Sequence, residues 1–390
     1  MSTVAPTLGV STRDPAVAPD GKVWFVGQAG NYIANLDPKT GATKRYEIEE
    51  GTNPHTLIVD QKGIVWYAGN RTAHIGKFDP KDGKITKYPM PNGEPRDPYV
   101  DAQNRVWFVG QVGDYLAYLV PETGEFKRFE LDSGTGPHNQ IVDRQGNVWY
   151  AGNCTAHIGK VDPKDGKITK YPMPNGEPRD PHTLVFDSKG DIWFTAQGGN
   201  AVGKLTVATG AVQVIKVPTP NARPYGILVD ANDRPWIVLF GSSKLATVDP
   251  ATMALREIDL PRAEIRPRRL AITSDGKIWY GDYATGQLGR YDPATGKVDE
   301  WPVPGGARSR PYAMASDQAD RIWLAESGTP NRLVVFDSKT LQWVSETPIP
   351  SGGGTVRHMI FDPKARVIWF GSDNNTIGRA TIPPARATTT

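Results

Sequence analysis

Residues 54–91 read PHTLIVDQKGIVWYAGNRTAHIGKFDPKDGKITKYPMP. Short apolar stretches are separated by the turn-forming D-Q-K-G at 60–63, a polar loop after Trp66, and D-P-K-D-G at 79–83. Asp, Gly and Pro in such clusters break the chain into reversals, so this unit predicts about four short strands. The unit recurs along the chain. Trp24, Trp66, Trp107, Trp149, Trp193, Trp236, Trp279, Trp323 and Trp369 are each followed by a bulky apolar residue at spacings of 41 to 46, and only Trp301 and Trp343 lie outside the series.

A period of roughly 40 to 45 residues with four strands per unit is the pattern of propeller blades, whereas helical solenoids need amphipathic helices that this sequence lacks. The expected fold is therefore all-β: a single β-propeller domain over 1–390, built of four-stranded antiparallel blades. Nine units predict nine blades. This exceeds the roughly four to eight usual in propellers, and an eight-bladed ring with one aberrant unit is the alternative. Residues 66–98 and 149–181 share WYAGNxTAHIGKxDPKDGKITKYPMPNGEPRDP, a duplication of a two-blade piece. The last unit ends after TIGRATI at 376–382, one strand short. The N-terminal STVAPTLGVSTRDP is in register with ITKYPMPNGEPRDP of the second unit, so residues 2–7 are expected to supply the missing strand. That pairing removes two bare strand edges, and 383–390 form a tail.

Composition narrows the function classes. The net charge of +3 over 390 residues is small and forms no Lys/Arg block, so neither nucleic acid nor a membrane surface is an expected partner. Cys154 is the only cysteine, which excludes an internal disulfide and a multi-thiolate zinc site. No apolar run is long enough to span a bilayer, and MSTVAPTLGV lacks the parts of a signal peptide. The expectation is a soluble monomer, cytoplasmic or, after removal of an export signal, periplasmic or secreted. No nucleophile-elbow, zincin, Walker or dinucleotide motif is present.

In a propeller the innermost strand of each blade starts at the channel mouth. Eleven residues before the successive tryptophans stand Arg13, His55, Arg96, His138, His182, Tyr225, Arg268, Tyr312 and His358. All are polar and can hydrogen-bond, beside strands that are otherwise largely apolar. Such a mouth suits a small anionic or peptide-like, carbonyl-rich ligand and carries proton-transfer capacity near neutral pH. Three residues after each Trp the first blades have glycine, but blades seven and eight have Asp282 and Glu326. Arg223, Arg266, Arg269 and Arg310 join Arg268 in an arc expected to face these acids. His74 and His157 lie in loops that can approach the same mouth.

Repeats such as PHTLVFDSKGDIWFTAQGGNAVGKLTVATGAVQVIKVP (181–218) and LAITSDGKIWYGDYATGQLGRYDPATGKVDEWPVP (270–304) resemble the virginiamycin B lyase, or streptogramin lyase, family over essentially the whole chain. The resemblance implies a carbon–oxygen lyase that opens a cyclic depsipeptide by magnesium-assisted elimination at an ester. Such chemistry needs a base for the proton α to a carbonyl and a cation for the developing negative charge. The resemblance puts this work on a Glu-x-His element, a His at the same place in the preceding blade, and a Glu three residues after a Trp. Here Asp180-Pro181-His182 approximates the first element and His138 is the preceding His, with Ala196 in the place of the final Glu. It thus implies His182 and His138 as catalytic residues and Asp180 as a ligand of Mg²⁺. Glu326 keeps the acid after its Trp, with Tyr312 in the place of that blade's His. Substrate contacts fall to Arg13, His55, Arg96, Tyr225, Arg268, Tyr312, His358 and Glu326. A non-catalytic ligand- or protein-binding propeller is the alternative.

Overall fold

A computed structural model describes residues 2–4, 12–28, 30–37, 40, 42–60, 62–69, 71–89, 95–101, 103, 105–111, 113–120, 123, 125–329, 331–349, 356–362, 367–372 and 376–381. Of 2–4, 12–15, 55–56, 95–100, 356–358, 360–362, 367–372 and 376–381 it describes the backbone alone. The described strands pair into nine four-stranded antiparallel sheets. Eight are meanders of consecutive strands, at 12–47, 54–89, 95–130, 137–172, 181–216, 224–259, 267–302 and 311–348, called blades one to eight. The ninth joins Val356–Asp362, Val367–Ser372 and Thr376–Thr381 to the N-terminal strand Ser2–Val4. Ser2 pairs with Arg379 and Val4 with Ile377. The N-terminal segment therefore completes the last blade, and 5–7 and 383–390 lie outside the described residues. Among the described residues no helix is long and apolar enough to cross a membrane.

The chain forms two compact units, residues 1–59 with 271–390, and residues 60–270. Both are built by the same rules. The second strand of a blade, such as Val148–Gly152 or Ile192–Ala196, is buried at every position, because neighbouring sheets cover both faces. This is why its sequence is an unbroken apolar run rather than an alternation. The outermost strand is more exposed and in Gln342–Pro348 alternates, because one face meets water.

An aspartate six residues before the Trp organises the first turn. Asp230 Oδ1 accepts from the backbone N–H groups of Asn232 and Arg234, and its Oδ2 accepts from Trp236 Nε1 at 2.8 Å. Asp60, Asp101, Asp143 and Asp317 hold Trp66, Trp107, Trp149 and Trp323 in the same way. One carboxylate thus closes the turn and satisfies the indole buried in the blade, a donor that burial would otherwise leave costly. In blade seven, Thr273 Oγ1 takes that role for Trp279.

Candidate active site

The inner strands carry an irregularity that the repeat pattern does not display. Their pairing shifts between Arg13 and Ala16, Arg96 and Tyr99, His138 and Gln140, Pro181 and Leu184, Pro224 and Ile227, Pro311 and Met314, and Val356 and Met359. Each shift falls at the position eleven residues before the blade's Trp. A β-bulge frees a residue from strict alternation and re-aims its side chain, so the same backbone device sits at each of these predicted positions.

In the unit of residues 60–270, side chains from the first strands of successive blades come together. The His138 and His182 rings lie 4.2 Å apart, centre to centre. Tyr225 lies 5.8 Å beyond His182, and Phe240 lies 6.3 Å beyond Tyr225. The Arg268 and Arg266 guanidiniums stand 5.0 and 5.6 Å from the centre of the Phe240 ring, and Arg269 stands 5.9 Å from that of Tyr225. His138, His182, Tyr225 and Arg268, which sequence spacing picks out, thus form one contiguous line with Phe240, which it does not.

Two asparagines set the geometry of the His pair. Asn139 has a left-handed backbone, φ +40°, and its Oδ1 accepts from Leu184 N at 2.8 Å. Asn153 Nδ2 donates to Pro181 O at 2.9 Å. His182 lies between these two anchors, both supplied by the preceding blade. Sequence reasoning overlooked them: blade four reads PHNQIV where blade two reads PHTLIV and blade five PHTLVF, a difference that lies outside the duplicated segment.

His182 Nδ1 lies 2.9 Å from Thr183 Oγ1. The tautomer in which Nδ1–H donates to that hydroxyl leaves the lone pair on Nε2. Burial, reinforced by the His138 imidazole and opposed by Asp180, pushes the His182 imidazole down to about 4. It is therefore neutral at physiological pH. His138 Nδ1 is buried with no hydrogen-bond partner among the described residues.

Several expected roles change. Asp180, implied as a metal ligand, accepts the backbone N–H groups of Gly198 at 2.6 Å and Gly199 at 2.8 Å, and so secures the loop after the second strand of blade five. Ala196 brings no oxygen to the same place. Among the described residues no three His, Cys, Asp or Glu side chains cluster so as to hold a metal ion. Magnesium requires a near-octahedral set of oxygen donors, and these residues do not fit it. In the other unit Glu326 is fully buried rather than lining a mouth. It accepts Gly305 N at 2.6 Å and pairs with Arg332, which also reaches Glu346 at 2.8 Å. Asp282, also fully buried, takes the backbone N–H of Ala284 and the Thr285 hydroxyl. Both acids are thus buried and hydrogen-bonded within their own unit.

Tyr312 stands edge-on to Tyr283 at 5.9 Å. The side chains of Arg13, His55, Arg96 and His358 lie outside those described. His74 and His157 are buried at 3% and 5% exposure, edge-on to Tyr67 and Tyr150 at the start of the third strand of their blades. They are packing residues of the duplicated blades rather than part of a mouth.

Fold and site together define a β-propeller with a contacting imidazole pair next to a group of arginines stacked on aromatic rings. The virginiamycin B lyase family model matches residues 11–279 and, in a second overlapping match, 99–333; the chain belongs to that family. A solved streptogramin B lyase is 26% identical, with 72% of this chain and 93% of that one covered and a TM-score of 0.52. A catalytically inactive histidine-to-alanine variant of virginiamycin B lyase from Staphylococcus aureus, solved with quinupristin, is 22% identical over 87% of this chain and 98% of that one, with a TM-score of 0.54. The dihydro-heme d1 dehydrogenase NirN is 13% identical over 88% of this chain and 67% of that one, with a TM-score of 0.58, a likeness of fold alone. No curated protein matches the sequence.

Proposed function

We propose that the chain is an elimination-type lyase acting on a carbonyl-rich or anionic small molecule, with His182 as the general base. The observation that carries this reading is the His138–His182 contact at 4.2 Å, with His182 held neutral by burial and by its neighbour. Nε2 takes the proton α to a carbonyl. The C–H electrons form the new double bond as the β-carbon–oxygen bond breaks, and the oxygen leaves as a carboxylate. A low proton affinity keeps the base unprotonated in the free enzyme, and the negative charge that develops on the substrate raises it as the proton transfers. His138, with a buried Nδ1 lacking a partner, is next in line for the proton. Tyr225 and Arg268 supply the hydrogen bond and positive charge that a developing enolate needs. No step passes through a metal.

Family membership makes quinupristin the first substrate to try. Elimination opens its ring without adding mass, whereas hydrolysis adds one water, and mass spectrometry separates the two. The expected result is a ring-opened product of unchanged mass, with His182→Ala slower by about 10²- to 10⁴-fold. Full turnover by His182→Ala would refute the assignment. Ala196 and the engaged carboxylate of Asp180 favour a second reading, a propeller that binds such ligands without turning them over. On that reading His182→Ala weakens binding and no product forms with any substrate.

A further inference from the structure

Two residues after each of the nine tryptophans the chain has Val, Ala or Gly, except in blade five, where Thr195 stands. Its side chain is fully buried, and a buried hydroxyl needs a partner to offset the loss of water. The partner lies in the next blade. Thr195 Oγ1 donates to Tyr225 O at 3.2 Å. Tyr225 lies in the bulge between Pro224 and Ile227, where no residue of its own sheet is paired with it, so the hydroxyl reaches the backbone at the point where the ladder of blade six is interrupted.

A second anchor holds the segment that leads into Tyr225. Asn200, also in blade five, accepts from Arg223 N at 3.2 Å through Oδ1 and donates through Nδ2 to Val217 O and Thr219 O at 3.1 and 2.8 Å. Between those contacts the chain carries Asn221 at φ +53° and ends in Arg223 at φ +50°. Left-handed backbone at residues other than glycine persists only where its surroundings hold it, and it concentrates at functional sites. One amide ties both sides of this stretch.

The same arrangement recurs along the line of site side chains. Asp114 of blade three accepts from Gly134 N and Gly136 N ahead of His138, both at 2.7 Å. Blade four holds the strand of His182 through Asn139 and Asn153, and blade five holds that of Tyr225 through Thr195 and Asn200. Each of the three side chains is thus braced by the blade before its own.

We propose that Thr195 is the positioning residue for Tyr225, supported by Asn200: its hydroxyl fixes the backbone from which the phenol reaches the developing enolate oxygen. Thr195 has no exposed surface and acts through Tyr225 alone. The role of the phenol rests on the lyase reading, whereas the placement of its ring 5.8 Å from that of His182 is measurable without a substrate.

Thr195→Val removes the donor and keeps the branched shape. Proton cross-relaxation between the His182 and Tyr225 rings, read by NMR on protein labelled at His and Tyr, should be present in the native chain, lost in Thr195→Val and restored in Thr195→Ser. Turnover of quinupristin supplies a second arm, in which Thr195→Val should lower kcat roughly 10- to 100-fold with KM little changed. Thr195→Ser should recover most of that loss. In a Tyr225→Phe chain, Thr195→Val should cost nothing further, because no phenol is left to place. Circular dichroism confirms that each variant is folded. Native cross-relaxation in folded Thr195→Val, or equal losses of kcat from Thr195→Val in the native and Tyr225→Phe chains, would overturn the proposal. A native chain that leaves quinupristin intact would count against the lyase reading alone, and the NMR arm would still decide the placement of Tyr225.

Discussion

At the scale of single residues, His182 is the group whose surroundings most change its chemistry. Its imidazole binds a proton near 4 in the folded chain, against an ordinary 6.5. The unfolded chain therefore binds more protons between those values, and stability falls as pH drops through that window. The urea midpoint should decrease from pH 7 to pH 5 by more in the native protein than in His182→Gln, and the His182 ring resonances should titrate near pH 4. Asn139 can be tested as a positioning residue. Asn139→Ala leaves Leu184 N without its acceptor, a cost of about 1 to 2 kcal/mol. It should also raise the His182 titration midpoint toward the ordinary value as the two rings separate. Asn139→Asp, which keeps the acceptor oxygen, should hold the loop, and an unchanged midpoint in Asn139→Ala would show that the amide does not set the pair.

At the scale of the blade, the strands are legible because each has a local signature: an Asp-centred turn, an unbroken apolar second strand, an alternating outer strand. Removing the turn acid tests the first of these. Asp230→Ala strips the acceptor from two backbone N–H groups and the Trp236 indole, and a loss of about 2 to 4 kcal/mol is expected in chemical denaturation. Packing between the second and third strands rests on size complementarity. Gly203 lies opposite Phe194, and a Cβ on Gly203 would come within 2.1 Å of the end of that ring. Gly203→Ala should cost about 2 kcal/mol or more through overpacking, and Phe194→Leu in the same chain should recover part of it. Additive effects in the double variant would rule out this direct contact. The bulges, by contrast, leave no mark in the pattern, because a one-residue slip in hydrogen bonding changes neither the spacing of the tryptophans nor the polarity of the mouth position.

At the scale of the molecule, the N-terminal strand matters most for completeness of the fold. Ser2–Val4 covers the open edge of Thr376–Thr381. A chain lacking residues 2–7 should unfold at lower temperature and self-associate through the bared edge, seen by light scattering on size-exclusion chromatography; an unchanged melting temperature would show that the strand adds nothing. The repeat count, the four-stranded blades and the borrowed N-terminal strand were all determined by the sequence alone, since each depends on periodicity or on length within one unit. Which of the polar side chains eleven residues before each Trp meet was decided only by the tertiary structure. His138 and His182 come into contact because Asn139 and Asn153 tie blade four to blade five, and the three arginines gather because Phe240 and Tyr225 lie beneath them. Asp180 and Glu326 keep the acidic character that spacing assigns them, yet packing spends their oxygens on neighbouring loops. A repeat specifies where a side chain starts, but its partners come from adjacent blades, and no period along one chain carries that information.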